Sequence, residues 1–234
     1  MTRREANSKE FMKKFVITLV LLFSSSAFAQ HSFALRDASK YFDINVDVAK
    51  CDDMYCSGAA KFSFFKKGGT RPYQVIALPD TQLQRSDGGK PLTNVTLLYD
   101  DQSVVNVADY NFDGMEDVAI CDGANGSYGM PSYRIYLSSR AMGKFVYDKA
   151  FSDLGSHLGM FTVDKEKKVL ETFDKSGCCY HITERYSVIG NRPVKIYSFE
   201  EDANIADETK VKTTTKLFVG GKWKTTVKYV KREE

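Results

Sequence analysis

Histidine is scarce in this 234-residue chain, which has only His31, His157 and His181. Many zinc sites and most general-base chemistry draw on imidazoles near further ligands or a nucleophile. His181 closely follows Cys178-Cys179-Tyr180. No second Cys/His pair has ligand spacing, however, and adjacent cysteines in an exported chain oxidise rather than serve as nucleophiles. The Gly-x-Ser-x-Gly, phosphate-loop and dinucleotide fingerprints are absent. Carboxylates abound, but no spacing singles out a glycosidase pair. No 3.6-residue apolar period is sustained beyond the N-terminal region. The sequence therefore predicts a protein that is not an enzyme and is poor in helix.

Long apolar runs are missing as well. The longest, Phe15 to Phe23, has nine residues, and a bilayer span needs about 20. It follows Arg3, Arg4, Lys13 and Lys14 and precedes Ala27-Phe28-Ala29. A basic region, a short apolar core and an Ala-x-Ala site make a cleaved secretory signal peptide, residues 1–29. Met12-Lys13-Lys14 would itself open a normal leader, so translation starts at Met1 or at Met12. The mature chain, 30–234, is expected to have no membrane span and to form one domain. Excess charge is also lacking. The five basic and two acidic residues of the leader account for the whole formal +3, and nothing global points to nucleic acid.

All five cysteines lie after the leader, where disulfides are the default. Cys51 and Cys56 bracket a short segment and are expected to pair. Cys178 and Cys179 either join each other or send one partner elsewhere. Cys121, in an apolar run, reads as a buried free thiol.

What is present is strand pattern. Phe42 to Val48 and Lys61 to Phe64 alternate apolar and polar residues. Tyr73 to Leu78, Asn94 to Tyr99, Ser103 to Ala108, Val118 to Cys121, Tyr133 to Leu137 and Lys144 to Tyr147 are further β-rich runs. Met160 to Val163, Lys168 to Phe173, Tyr180 to Val188 and Val194 to Phe199 follow. Turns are expected at Ser86 to Gly89, Asp164 to Lys167 and Gly190 to Pro193, and Phe151 to Leu158 is a short helix or a loop. The fold class is all-β, a single domain of antiparallel sheets, propeller-like or a β-sandwich. The C-terminal region is rich in lysine, with Gly220-Gly221 turning Lys216 to Val219 into Lys222 to Lys224. It reads as an edge hairpin whose lysines discourage edge-to-edge pairing, or as a contact for an acidic partner.

The most informative stretch runs from Ala108 to Ile120. Asp109, Asn111, Asp113 and Asp117 occupy positions 1, 3, 5 and 9 of a loop, with Gly114 at position 6. Alternating oxygen-bearing residues around a sharp glycine bend, plus the Met115 carbonyl, are how a hard cation collects its oxygens. An EF-hand needs Glu at position 12, where this chain has Ile120 in a strand-like run. The reading is one Ca²⁺-binding loop feeding a β-strand, against an ordinary Asx-rich turn. Beyond it, Asp122 to Pro131 is a glycine-rich loop with Ser127 and Tyr128 at its apex. A tyrosine held on a rigid loop loses little entropy on binding and offers area and a hydroxyl to a partner's cleft. Otherwise it folds back onto the core.

Asp109 to Asp117 followed by Val-Ala-Ile resembles the calcium loops of FG-GAP (integrin-type) repeats. Together with Gly123 to Gly129, Tyr133-Arg134-Ile135-Tyr136 and Ser176 to His181, the pattern is similar to the periplasmic calcium-binding immunity proteins. Those proteins neutralise peptidoglycan hydrolases of bacterial type IV secretion, and are relatives in function of the periplasmic lysozyme inhibitors. The resemblance spans roughly residues 72–200. It implies a periplasmic β-rich inhibitor with Ca²⁺ on Asp109, Asn111, Asp113, Met115 and Asp117. Asn125, Ser127 and Tyr128 would meet the partner, a lysozyme-like peptidoglycan hydrolase. Two other classes compete: a calcium-dependent adhesion or scaffold module of FG-GAP type, and a secreted hydrolase.

Overall fold

The computed structural model describes residues 31–86, 89, 91–96 and 102–232. The expected signal peptide lies outside them. From His31 onward the chain groups as one compact unit.

The alternating segments form strands, and within each sheet every strand but β5 pairs with a neighbour in sequence. The first sheet runs in order through β1 (His31–Leu35), β2 (Phe42–Cys51), β3 (Tyr55–Lys66) and β4 (Pro72–Leu78), with β5 (Gln82–Gln84) also on β3. The second is β6 (Val105–Ala108), β7 (Asp117–Gly123), β8 (Ser132–Ser139) and β9 (Lys144–Asp148). The third is β10 (Thr162–Asp164), β11 (Val169–Ser176), β12 (Tyr180–Ile189), β13 (Arg192–Asp202), β14 (Lys210–Val219) and β15 (Lys222–Lys231). All the strand pairings within these sheets are antiparallel. Three consecutive meanders are the connectivity of propeller-type blades rather than of a two-sheet Greek-key sandwich. Among the described residues no helix is long and apolar enough to cross a membrane.

One apolar core takes side chains from all three sheets. Ile44, Val46, Phe62 and Phe64 come from the first, Val118, Ile120 and Ile135 from the second, and Leu170 and Tyr186 from the third. In β2 and β3 alternate residues are buried, the period-2 pattern read in the sequence. In β7 all residues but Asp122 are buried, so its sequence shows a continuous apolar run without alternation.

The ambiguous segment resolves as a helix, α1 (Lys149–Leu154), because Asp148 caps it by accepting from Phe151 N. The expected strand from Asn94 to Tyr99 is not formed at Asn94 to Thr96, and its remainder lies outside the described residues. Asn94 sits at φ 59°, a left-handed conformation that no strand continues. Its side chain accepts from Val107 N and donates to Ala38 O, while the Ser103 hydroxyl takes the Val95 amide. Side chains thus replace a ladder there. β1 and β5 were not expected; both are short strands at the margins of the first sheet.

Cys51 and Cys56 are paired across the β2–β3 turn, where they are also register partners. Cys178 and Cys179 are joined to each other in the β11–β12 turn. Cys121 is buried and free, its thiol pushed up to about 12 by burial.

Candidate functional site

The acidic loop joins β6 to β7. Asp109 Oδ1 accepts from Asp113 N at 2.9 Å and its Oδ2 from Gly114 N at 2.8 Å. Asn111 Oδ1 accepts from Asp113 N at 3.2 Å, and Asp113 Oδ1 from Met115 N at 2.9 Å. These bonds wind the chain into a turn in which Phe112 and Gly114 take φ of 60° and 86°. The second is the bend that position 6 reserves for glycine. Met115 is half-buried, and Arg140 Nε donates to its sulfur at 3.3 Å.

Asp117 differs from the other acids. It opens β7 opposite Ala108 and is fully buried. Its carboxylate accepts from Ser138 N at 2.8 Å and Tyr110 N at 2.9 Å. Burial pushes its pKa up to about 7; the two amides oppose the shift and the nearby Asp113 charge adds to it. Among the described residues, no three carboxylate, imidazole or thiol groups gather into a metal-holding cluster; the loop's acids lie on amides. The donor set nonetheless fits a hard cation. All the candidates are oxygens, and an oxygen accepting one N–H keeps a second lone pair. A buried carboxylate beside a second acid, with only amides facing it, lacks compensating charge. Asp109, Asn111, Asp113 and Asp117, with the Met115 carbonyl, are the residues that could hold it.

Two neighbours of this loop left no local signal in the sequence. Asn111 Nδ2 donates to Asn191 Oδ1 at 2.7 Å, from the β12–β13 turn. Glu116 accepts from the Ser39 hydroxyl at 2.5 Å, which ties the loop to the β1–β2 connection. A cleft of about 580 Å³ opens beside the loop between Asp113, Met115, Arg140 and Asn191.

The tyrosine loop joins β7 to β8. Inside it, Gly126 N donates to Met130 O at 2.8 Å and Ser127 N donates to His157 O at 2.9 Å. A Cβ on Gly126 would lie 2.6 Å from His157 O and 2.8 Å from Met130 O, so the backbones approach this closely only because the residue is glycine. Ser127 to Gly129 forms one 3-10 turn with Tyr128 at φ 58°. Tyr128 is 63 % exposed, so it does not fold back onto the core. Its hydroxyl accepts from Gly177 N, and the Lys175 ammonium stands 5.2 Å from its ring centroid. The apex therefore leans on the tip of the β11–β12 hairpin, next to the Cys178–Cys179 pair. Ser127 is half-buried. Asn125 is exposed, and its amide donates to Ser132 Oγ at 3.1 Å, so it shapes the base of the loop as well as facing solvent. His157, which supports the loop through its carbonyl, engages the Asp174 carboxylate through Nδ1.

The three residues expected to meet a partner are thus together, and so are the loop acids, but the two groups sit at opposite ends of β7. Seven residues at about 3.3 Å each put them on the order of 20 Å apart. His157, Lys175 and Gly177 were missed as supports of Tyr128 because they lie 29 to 49 positions from it in the chain, and the Ser176 to His181 stretch that holds Gly177 carries no local sign of that contact.

No family model matches the chain, and no curated protein matches it. Among solved structures, one described as a Xanthomonas type IV secretion system related protein is similar in fold. The identity is 23 % and the TM-score 0.65, over 86 % of this chain and 96 % of that one.

Proposed function

We propose that the chain is a periplasmic, calcium-stabilised inhibitor of a lysozyme-like peptidoglycan hydrolase, acting by occlusion and without chemistry of its own. The observation that carries the reading is Tyr128. A large aromatic side chain is 63 % exposed on a backbone held at positive φ, on a loop tied to His157 and Gly177. Holding a non-glycine residue left-handed costs on the order of 1 kcal/mol or more, and such positions concentrate where function needs them. A pre-shaped tyrosine enters a cleft with little further ordering, and aromatic anchors of this kind dominate many interfaces. The fold likeness to a protein related to type IV secretion supports the same setting.

Bound Ca²⁺ would supply positive charge to the β6–β7 loop. Asp117 would then keep its buried carboxylate ionised at the head of β7, with Asp109, Asn111, Asp113 and the Met115 carbonyl completing the set. Ser127 and Asn125 flank the anchor and supply polar contacts at the rim.

The test is peptidoglycan hydrolysis by a panel of lysozyme-fold enzymes with and without the protein, in Ca²⁺ and in EDTA. Inhibition of one enzyme at stoichiometric protein is expected. A panel that is wholly indifferent, with binding to a surface or matrix in its place, would favour an adhesion or scaffold module. Release of glycan products by the protein alone would make it a hydrolase.

A further inference from the structure

The third sheet ends in a hairpin that the inhibitory reading does not use. Every described residue of the chain from Leu217 to Arg232 is exposed. Among them are Trp223 at 45 %, Val227 at 47 % and Tyr229 at 61 %. The segment from Lys210 to Arg232 holds seven lysines, one arginine and no acid. Lys210 is paired with Asp207 and Lys216 with Glu200. No ion pair among the described residues takes up Lys212, Lys222, Lys224, Lys228, Lys231 or Arg232.

Strand register sorts these side chains into two faces. Phe218 stands opposite Trp223, with ring centroids 5.3 Å apart, and Val227 and Tyr229 share that face with Lys212. Leu217 stands opposite Lys224 and Val219 opposite Lys222, and Val230 and Lys228 lie on that second face. Each face therefore mixes large apolar groups with cations. Lysines on an edge strand account for blocked edge pairing, but not for aromatic and aliphatic side chains left in water on both faces.

We propose that this hairpin docks on the surface of an anionic phospholipid bilayer, lying in the headgroup region without spanning it. Trp and Tyr with Lys and Arg are the composition of a membrane interface, where rings sit at headgroup depth and lysine stems reach back to phosphate. The absence of any carboxylate from Lys210 to Arg232 gives the charge complementarity. Protein-binding surfaces are, by contrast, depleted in lysine. A second copy fits poorly, since pairing β15 edges would set Lys222, Lys224, Lys228 and Lys231 against their own kind.

Trp223 is the chain's single tryptophan, so its emission reports the hairpin directly. The reagent is the chain from Gln30 onward, mixed with phosphatidylglycerol-containing or pure phosphatidylcholine vesicles at low salt. The expected result is a blue shift and co-sedimentation with the anionic vesicles alone, weakened more than about 10-fold by 0.5 M NaCl. The triple variant Lys222→Glu, Lys224→Glu, Lys228→Glu should partition more than about 100-fold less with an unchanged melting curve; should that curve move, the salt titration of the unaltered chain decides. Unshifted emission on anionic vesicles overturns the proposal, as does equal binding to phosphatidylcholine. A shift caused by polyglutamate but not by vesicles overturns it in favour of an acidic polypeptide partner.

Discussion

Tyr128 carries the inhibitory reading at a conformational cost, and the two effects can be separated by substitution. Glycine adopts φ of 58° freely, so Tyr128→Gly removes the strain together with the ring's contacts to Gly177 and Lys175. Stability is expected to stay within about 1 kcal/mol of the parent. Inhibition should fall by on the order of 100-fold or more, as for loss of a central aromatic anchor. Chemical denaturation and an inhibition titration check the two halves. A variant that inhibits as well as the parent would remove Tyr128 from the interface. At the candidate calcium loop, Asp113→Ala should lower the melting temperature more in Ca²⁺ than in EDTA, where only its bonds within the turn, such as that from Met115 N, are lost. Equal melting shifts with and without Ca²⁺ would contradict that role. The turn of this loop was legible because it is local: the alternation of Asp and Asn and the glycine bend lie within nine positions. Asn191 and Gly177 were not, since only the pairing of distant strands brings them near.

At the scale of elements, β7 separates the two sites, so calcium and the tyrosine loop should act unequally. The loop takes its shape from Gly126, the His157 carbonyl and the β11–β12 tip, all at the far end from Asp109. Gly126→Ala would press its Cβ to 2.6 Å from a backbone oxygen that cannot rotate away. A loss of about 1–3 kcal/mol in stability is expected, with at least a 10-fold loss of inhibition measured well below the melting temperature. Under the same conditions Asp113→Ala should change inhibition less than Gly126→Ala does. The reverse order in an inhibition assay would mean that the metal loop shapes the tyrosine loop directly. Most strands could be read where one face is buried, as in β2 and β3. Asn94 to Thr96 misled because Val95 and Thr96 have β propensity, while the Asn94 side chain found Ala38 and Val107 and ended the ladder. Such a competition is decided by tertiary partners and leaves no mark on the local pattern.

For the whole molecule, the all-β class followed from the missing helical period. The choice of three meanders over a sandwich did not, because strand lengths and turn spacings are alike in both. What the core does fix is the response to pH. Asp117 is buried with its pKa raised to about 7, whereas the unfolded value is near 3.8. The folded chain therefore holds a proton that the unfolded chain releases. In EDTA this contribution is fully present below about pH 4 and is lost as pH rises towards about 7, a change on the order of 4 kcal/mol. The carboxylates with lowered pKa, Asp43, Asp52, Asp164 and Asp207, work in the opposite sense, but lose their contribution only as pH falls below about 4. Asp52 and Asp207 are exposed and Asp43 and Asp164 half-buried at the surface, and surface pairs of this kind add little. Between pH 4.5 and 7.5 the melting temperature in EDTA should therefore fall as pH rises. With saturating Ca²⁺ the ionised carboxylate would gain a counter-charge, and linkage flattens the trend, since in this range neither the ion-bound folded state nor the unfolded chain then holds the Asp117 proton. Thermal melts at several pH values, with and without the ion, read both slopes. Parallel curves would mean that Asp117 does not face the metal.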